Sequence, residues 1–362
     1  QYHSCSVLCF EQSGVPKSIQ QLWWCDSNDL PILINYQYPN MKLTTKVIAA
    51  GLAFAPAASF AAPALNGAGA TFPAPLYQRW FGDYAAATGN RVNYQSVGSG
   101  AGIKQFVAGT VDFAASDEPI KAKDAAKVKR GYVQIPMTGG TIAVAYNNPK
   151  CKLRLTQKQV VGVFQGDITD WKELGCSGGA IKVVHRSDGS GTTFAFTSSL
   201  NAFGGWRPGA GKSVNWPVGI GGKGNEGVAG TLSSTPGSIG YLTYSYVKGS
   251  KLQAASVQNK SGNFIQPSYK SGFAALNGIQ LDPVSLAGED FNPAAPNAYP
   301  ISTLTWVLAY KEGNGAKTDD IRAALNYMLS GKAQMVADDL GYVPLAGSIL
   351  NRARNKVKQI GQ

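Results

Sequence analysis

The chain has 362 residues, 43 of them glycine, with 15% charged residues and a formal net charge of +12. That length can hold two domains and a sizeable core, and the many turn-formers with few charges exclude a disordered or coiled-coil chain. The basic excess raises the possibility of a polyanionic partner, but Lys and Arg are scattered with no basic block or aromatic–basic repeat, so a small anionic ligand fits better than nucleic acid.

Residues 1–40 hold Cys5, Cys9, Cys25 and the pair Trp23-Trp24, with no regular hydrophobic period. They read either as a Cys-rich leader or as a non-native or untranslated upstream segment. The second reading is preferred because the first methionine is Met41. Residues 41–61 then read as a signal peptide. Lys42 and Lys46 give the basic start, Val47 to Ala58 the apolar run, and Ser59-Phe60-Ala61 the small residues before a cut at Ala62. The run is too short for a membrane anchor, and no Cys follows the cut to carry a lipid. A periplasmic location is therefore expected.

From Ala62 onward the net charge is still +12, because three basic and three acidic residues precede it. Two cysteines remain, Cys151 and Cys176, and an even pair in an oxidising compartment reads as a disulfide. His185 is the one histidine left, which argues against a His/Cys zinc site. No metal and no cofactor are expected.

In chain order, Ala64 to Asn66 predicts a short strand, with Thr71 capping a helix through Leu76, Trp80, Phe81 and Tyr84. Arg91 to Val97 alternates as a strand, then a Gly/Ser turn leads to a helix from Ile103 to Ala108. Val111 to Ala115 is a strand ending at Ser116-Asp117-Glu118-Pro119, and Lys121 to Lys129 a charged surface helix. Tyr132 to Pro136 and Gly140 to Tyr146 read as two further strands, and Asn147-Asn148-Pro149 as the first domain crossing. Thr156 to Phe164 predicts a helix. Helices also start at Asn225-Glu226 and cover Lys317 to Leu329, Lys332 to Asp338 and Ser348 to Val357. Pro236 to Tyr246 reads as turn then strand, Asp282 to Pro300 as an irregular return, and Ile301 to Tyr310 as the strand leading back. Alternating strands and helices predict an α/β architecture with mostly parallel sheets.

The stretch Lys182 to Leu200, KVVHRSDGSGTTFAFTSSL, organises the rest. A strand runs to Arg186, a small polar loop to Gly191, and a helix follows with Phe194 and Phe196 inward. Unpaired N–H groups at a helix start favour an oxyanion. Ser190, Thr192 and Thr193 add hydroxyls, and the Arg186 guanidinium can grip two oxygens. The alternative is a plain strand-to-helix turn with good caps. A serine hydrolase built on Ser190 is disfavoured, because His185 alternates with Arg186 on the strand and faces the other way.

Six segments resemble, in order, the substrate-binding protein family of the high-affinity phosphate ABC transporter. They are GAGATFPAP at Gly67–Pro75, VNYQSVGSGAGIKQF at Val92–Phe106 and TVDFAASDEP at Thr110–Pro119, then RSDGSGTTFAFT at Arg186–Thr197, WPVGIGGKGNEGVA at Trp216–Ala229 and PGSIGYL at Pro236–Leu242. The resemblance implies a two-lobed Venus-flytrap fold of the type II periplasmic binding proteins with phosphate between the lobes. Lobe I would be 62–147 plus 301–362, and lobe II 148–300. It implies Thr71, Phe72, Ser99, Asp117, Arg186, Ser190, Gly191 and Thr192 as phosphate ligands, with Asp188 pairing Arg186. It implies a monomer that does no chemistry and delivers phosphate to the permease subunits of an importer. A phosphate-scavenging extracellular protein without a permease is the alternative. Asp117 is the odd member of an anion site. A carboxylate there helps only a ligand that carries a proton, which favours phosphate over sulfate. Its alternative role is a helix cap before Glu118-Pro119, and that of Asp188 a turn residue.

Overall fold

The computed structural model describes residues 64–362, together with a short antiparallel pairing of Val7–Leu8 with Leu22–Trp23. The expected signal peptide and the question of the true start lie outside the described residues.

The first sheet half grows from two strand–turn–helix units. Leu65–Gly69 (β1) leads through Pro73 to helix Ala74–Thr88 (α1), and Val92–Ser96 (β2) leads through Gly98 to helix Ser99–Ala108 (α2). Strand β1 pairs in parallel with β2 on one side and with Phe113–Ser116 (β3) on the other. Helix α1 buries Leu76, Tyr77, Trp80, Phe81 and Tyr84, the apolar stripe seen in the sequence. Thr71 does not cap it. The N-cap is Pro73, and Pro75 sits within the first turn, where a missing N–H costs nothing. Thr71 is thereby left free for another partner. Of the charged helix expected at Lys121 to Lys129, only Ala122–Ala125 is helical.

Tyr132–Tyr146 (β4) is one strand of 15 residues, not two. Pro136 and Gly139-Gly140 read as a break in the sequence, yet each has a place inside the strand. Pro136 cannot donate to the ladder and lies where the register with Ser302–Tyr310 (β8) shifts, between Thr305 and Trp306. Gly139 lets Leu276 close on the strand, since a Cβ there would lie 2.2 Å from Leu276 Cδ1. The strand runs from one half of the sheet into the other. Its residues up to Thr141 pair with β8, and those from Ile142 pair with Ser238–Thr243 (β7). Asn147, where the first crossing is expected, directly follows β4, whose backbone stays hydrogen-bonded through both halves.

In the second half, β7 pairs in parallel with Lys182–Arg186 (β5), and β5 with Ile220–Gly222 (β6). Helices Gln157–Gln165 (α3), Gly191–Phe203 (α4) and Gly224–Ser234 (α5) belong to this half. Thr156 and Gln159 form a reciprocal capping box at the start of α3. Phe196 is fully buried in α4, whereas Phe194 is half-buried edge-on to Phe291. Along its main path the sheet runs β2-β1-β3-β8-β4-β7-β5-β6, and two short strands pair with β4 off this path. The sheet is mixed rather than mostly parallel. Strand β8 runs antiparallel to both β3 and β4, and β4 antiparallel to β7. Those three antiparallel pairings are what join one parallel half to the other.

Helix Tyr269–Leu276 (α6), absent from the sequence reading, packs on β4, β8 and Tyr342–Val343 (β9), which pairs with Gly139-Gly140. Cys151 and Cys176 are joined, with Cα atoms 5.6 Å apart. No helix among the described residues is long and apolar enough to cross a membrane.

Candidate functional site

The two sheet halves meet along a seam, and the residues singled out from the sequence lie buried on it. Thr71 follows β1, Ser99 opens α2, and Asp117 follows β3, all from the first half. Arg186 ends β5, while Ser190, Gly191 and Thr192 form the start of α4 in the second. Each strand's last residue hands the chain to a tight turn, so the helix starts converge at one edge of the sheet.

Arg186 is 4% exposed. Its Nε and one terminal nitrogen donate to the two oxygens of Asp188, at 2.7 and 2.6 Å. Asp188 also accepts the Gly224 N–H at 3.0 Å. Burial pushes the Asp188 carboxyl up, but the hydrogen bonds and charge of Arg186 outweigh it and hold the group below the usual Asp value. This geometry makes Asp188 the orienting partner of Arg186 rather than a turn residue only. The remaining terminal nitrogen of Arg186, Nη1, is buried with no protein partner. A buried, charged donor left unpaired is costly unless an acceptor comes to it.

The hydroxyls of the seam are turned outward by what they accept. Ser99 Oγ accepts the N–H of Gly191 at 3.1 Å and of Asp117 at 3.4 Å. Thr71 Oγ1 accepts two N–H groups of Asn225, the backbone at 3.0 Å and the side chain at 2.7 Å. A hydroxyl with both lone pairs filled can only donate. Ser190 Oγ caps α4 by accepting Thr193 N–H at 3.0 Å. Phe72 places its ring in the core, edge-on to Tyr342, so its backbone N–H is all it can offer a ligand.

Asp117 is the acceptor in this set of donors. Thr305 donates to Oδ1 at 2.8 Å, and Thr192 to Oδ2 at 3.3 Å. It caps no helix, since the next helical turn begins after Lys121. Burial pushes its carboxyl up to about 7, against the lowering effect of the Thr305 bond, the Arg186 charge and Thr192. Asp117 is thus poised to change charge near neutrality.

The halves touch closely. A Cβ on Gly191 would lie 2.6 Å from Ser99 Oγ and 2.7 Å from the Asp117 backbone nitrogen. Gly100 N–H donates to Gly189 O at 2.8 Å, and Ser96 Oγ to Glu226 at 2.8 Å. Buried Glu118 pairs with Lys212 across the seam and with Lys121 at 3.0 Å. The arrangement is therefore closed around its donors.

Asn225 and Thr305 were missed in the sequence. Asn225 lies inside the quoted GGKGNEG motif, but nothing local says that its side chain crosses the seam. Thr305 lies in a plain β-branched strand and is set opposite Asp117 by the antiparallel register of β8 with β3. His185 stacks on Trp216 at 5.0 Å, with its Nδ1 near its neighbour's carbonyl, and lies off the site. With Ser190 engaged as a cap, no nucleophile–base pair is present among these residues. No cluster of three metal-ligating side chains occurs among the described residues.

Fold and seam together define a binding protein of the periplasmic type. Residues 55–332 match the PBP superfamily domain model. The chain is 38% identical to the phosphate-binding protein PstS of Pasteurella multocida over 316 residues, covering 82% of this chain and 90% of that one. It is 38% identical to PstS of Haemophilus influenzae over 314 residues, covering 82% and 93%. The fold also matches the crystal structure of a phosphate-binding protein from Stenotrophomonas maltophilia, with a TM-score of 0.67 at 21% identity, over 81% of this chain and 94% of that one. The chain belongs to the PstS phosphate-binding protein family.

Proposed function

We propose that this protein binds inorganic phosphate between two lobes that meet within β4, and passes it to the permease subunits of an ABC importer. The observation that carries the reading is the buried, unpaired Nη1 of Arg186 beside hydroxyls that can only donate. The relatives named phosphate-binding proteins support the same ligand. The ligand set is Thr71, Phe72, Ser99, Asp117, Arg186, Ser190, Gly191 and Thr192, with Asp188 holding Arg186. Asp117 accepts the proton that phosphate carries and sulfate lacks. The protein acts in the periplasm and performs no chemistry on its ligand. Calorimetry of the full chain with phosphate, sulfate and arsenate in parallel tests this. Phosphate should bind at least about a hundredfold tighter than sulfate, the discrimination an unpaired buried polar group can enforce. Equal binding of the two, or no phosphate binding, overturns the reading.

A further inference from the structure

Asn225 is fully buried and is the second residue of α5, a helix seated on β5, β6 and β7 of the second sheet half. Its carbonyl oxygen is anchored within that half, accepting the Thr243 N–H at 2.9 Å. The anchor fixes the amide orientation, because only oxygen can accept there, so Nδ2 faces the seam. Nδ2 and the backbone N–H both donate to Thr71 Oγ1, which belongs to the first half. Nδ2 also donates to Thr192 Oγ1 at 3.2 Å, whose own proton goes to Asp117. Thr71 Oγ1 donates to no protein group among the described residues. The neighbouring residue repeats the pattern: Glu226 accepts from Ser96 of the first half and from Tyr246, which also donates to Thr71 O at 3.0 Å.

We infer that Asn225 is a positioning residue that sets proton direction in the site when the halves close. On closure its two N–H groups fill both lone pairs of the Thr71 hydroxyl. The single O–H can then only point at the ligand as a donor. The ligand oxygen at that end must be unprotonated, and the proton of the phosphate is directed to Asp117. Closure and ligand orientation become one event, because the contact that orients the hydroxyl is itself a contact between the halves. This inference rests on the phosphate reading above.

The test is a double-mutant cycle on phosphate binding by the full chain, with association and dissociation rates measured separately. Thr71→Val removes the hydroxyl at constant shape. Asn225→Ala removes the donor, and Asn225→Asp keeps the acceptor for Thr243 while replacing the donor with a carboxylate that takes the Thr71 proton for itself. Each single variant should speed phosphate dissociation by about 10- to 100-fold with little change in association. Asn225→Asp should be the worse of the two at position 225. Thr71→Val combined with Asn225→Ala should be no weaker than the weaker single variant. The melting temperature of the phosphate-free protein monitors folding, and Asn225→Asp keeps the test open if Asn225→Ala is misfolded. Multiplicative effects of the two substitutions, or parental dissociation from Asn225→Asp, overturn the inference while leaving the phosphate reading intact. Absence of phosphate binding by the parent chain overturns both.

Discussion

At the residue scale, the proposed site has one charge expected to attract phosphate, on Arg186, and one expected to select it, on Asp117. Arg186→Ala removes the one guanidinium that the described residues bring to the proposed ligand set and strands Asp188, so phosphate binding should weaken by about 2–5 kcal/mol. Calorimetry at fixed salt checks this, and a parental dissociation constant would place the ligand elsewhere. Asp117→Asn should act differently. Asn keeps the shape and can still accept the ligand's proton, but it also donates. Phosphate should lose little and sulfate should gain, so the ratio of the two affinities falls. The parent should show a related pH effect. The raised Asp117 value, about 7, means that the folded closed form holds this proton where an exposed Asp would release it. Its contribution to stability therefore falls as pH rises from about 4 to 7 and is level above that. Above pH 7 the ionised carboxylate rejects sulfate, and below it the protonated form can donate to sulfate. The phosphate-to-sulfate ratio, measured at pH 5.5 and pH 8, should rise with pH more steeply in the parent than in Asp117→Asn, where only the ligand's own ionisation still changes. A flat parental profile would sink this account of selectivity.

At the element scale, the start of α4 works as a surface that must come within contact of β3 and α2. Gly191 is what permits it. An alanine there would put its Cβ against the Asp117 backbone, which cannot swing aside as a side chain could. Overpacking of this kind costs roughly 1–3 kcal/mol. Because the crowding arises only where the halves meet, Gly191→Ala should weaken phosphate binding by about that amount. The melting temperature of the phosphate-free chain should barely change, while the extra stability conferred by saturating phosphate shrinks. A variant that melts early with and without phosphate would mean that the crowding acts on folding rather than closure. Strand β8 is the other element of consequence. Thr305 reaches Asp117 on the side of β8 away from the bulge, where the unshifted ladder with β3 that pairs Trp306 with Ser116 carries on to set Thr305 opposite Asp117.

At the scale of the whole molecule, β4 is the shared beam. One strand supplies hydrogen bonds to β8 in the first half and β7 in the second, so the halves are joined by continuous backbone as well as by the contacts of the seam. The Cys151–Cys176 link lies in the second half and encloses α3 and buried Trp171 without touching the proposed ligand set. A loop of that size should contribute about 3 kcal/mol of stability in the chain-entropy account. Reducing it, or replacing both cysteines by serine, should lower the denaturation midpoint while leaving phosphate affinity within about twofold, since distant sites add independently. A large loss of affinity on reduction would show that the loop holds the site after all.

The sequence by itself determined the strand–Gly/Ser–helix units, since β-branched runs, turn residues and helical spacing are local signals. It also determined the residue types of an oxyanion site and the six motifs that carry the family resemblance. Thr71, Ser99 and Arg186 were legible because each lies near a glycine-containing turn at a strand end, and Asp117 because it lies in the TVDFAASDEP segment of the resemblance. Only the tertiary structure decided how those turns are used. The 15-residue β4 could not be read through Pro136 and Gly139-Gly140, because its continuity comes from β8 and β7, which lie more than ninety residues away in the chain. Thr71 looked like a helix cap, because its true partner, Asn225, is 154 residues distant. Thr305 had no sequence signal, because it is the pairing of β8 with β3, nearly two hundred residues earlier in the chain, that sets it opposite Asp117. Local hydrogen bonding and periodicity write themselves into sequence. The direction of a hydroxyl proton does not, since it is set by whichever donors the closed fold brings to its lone pairs.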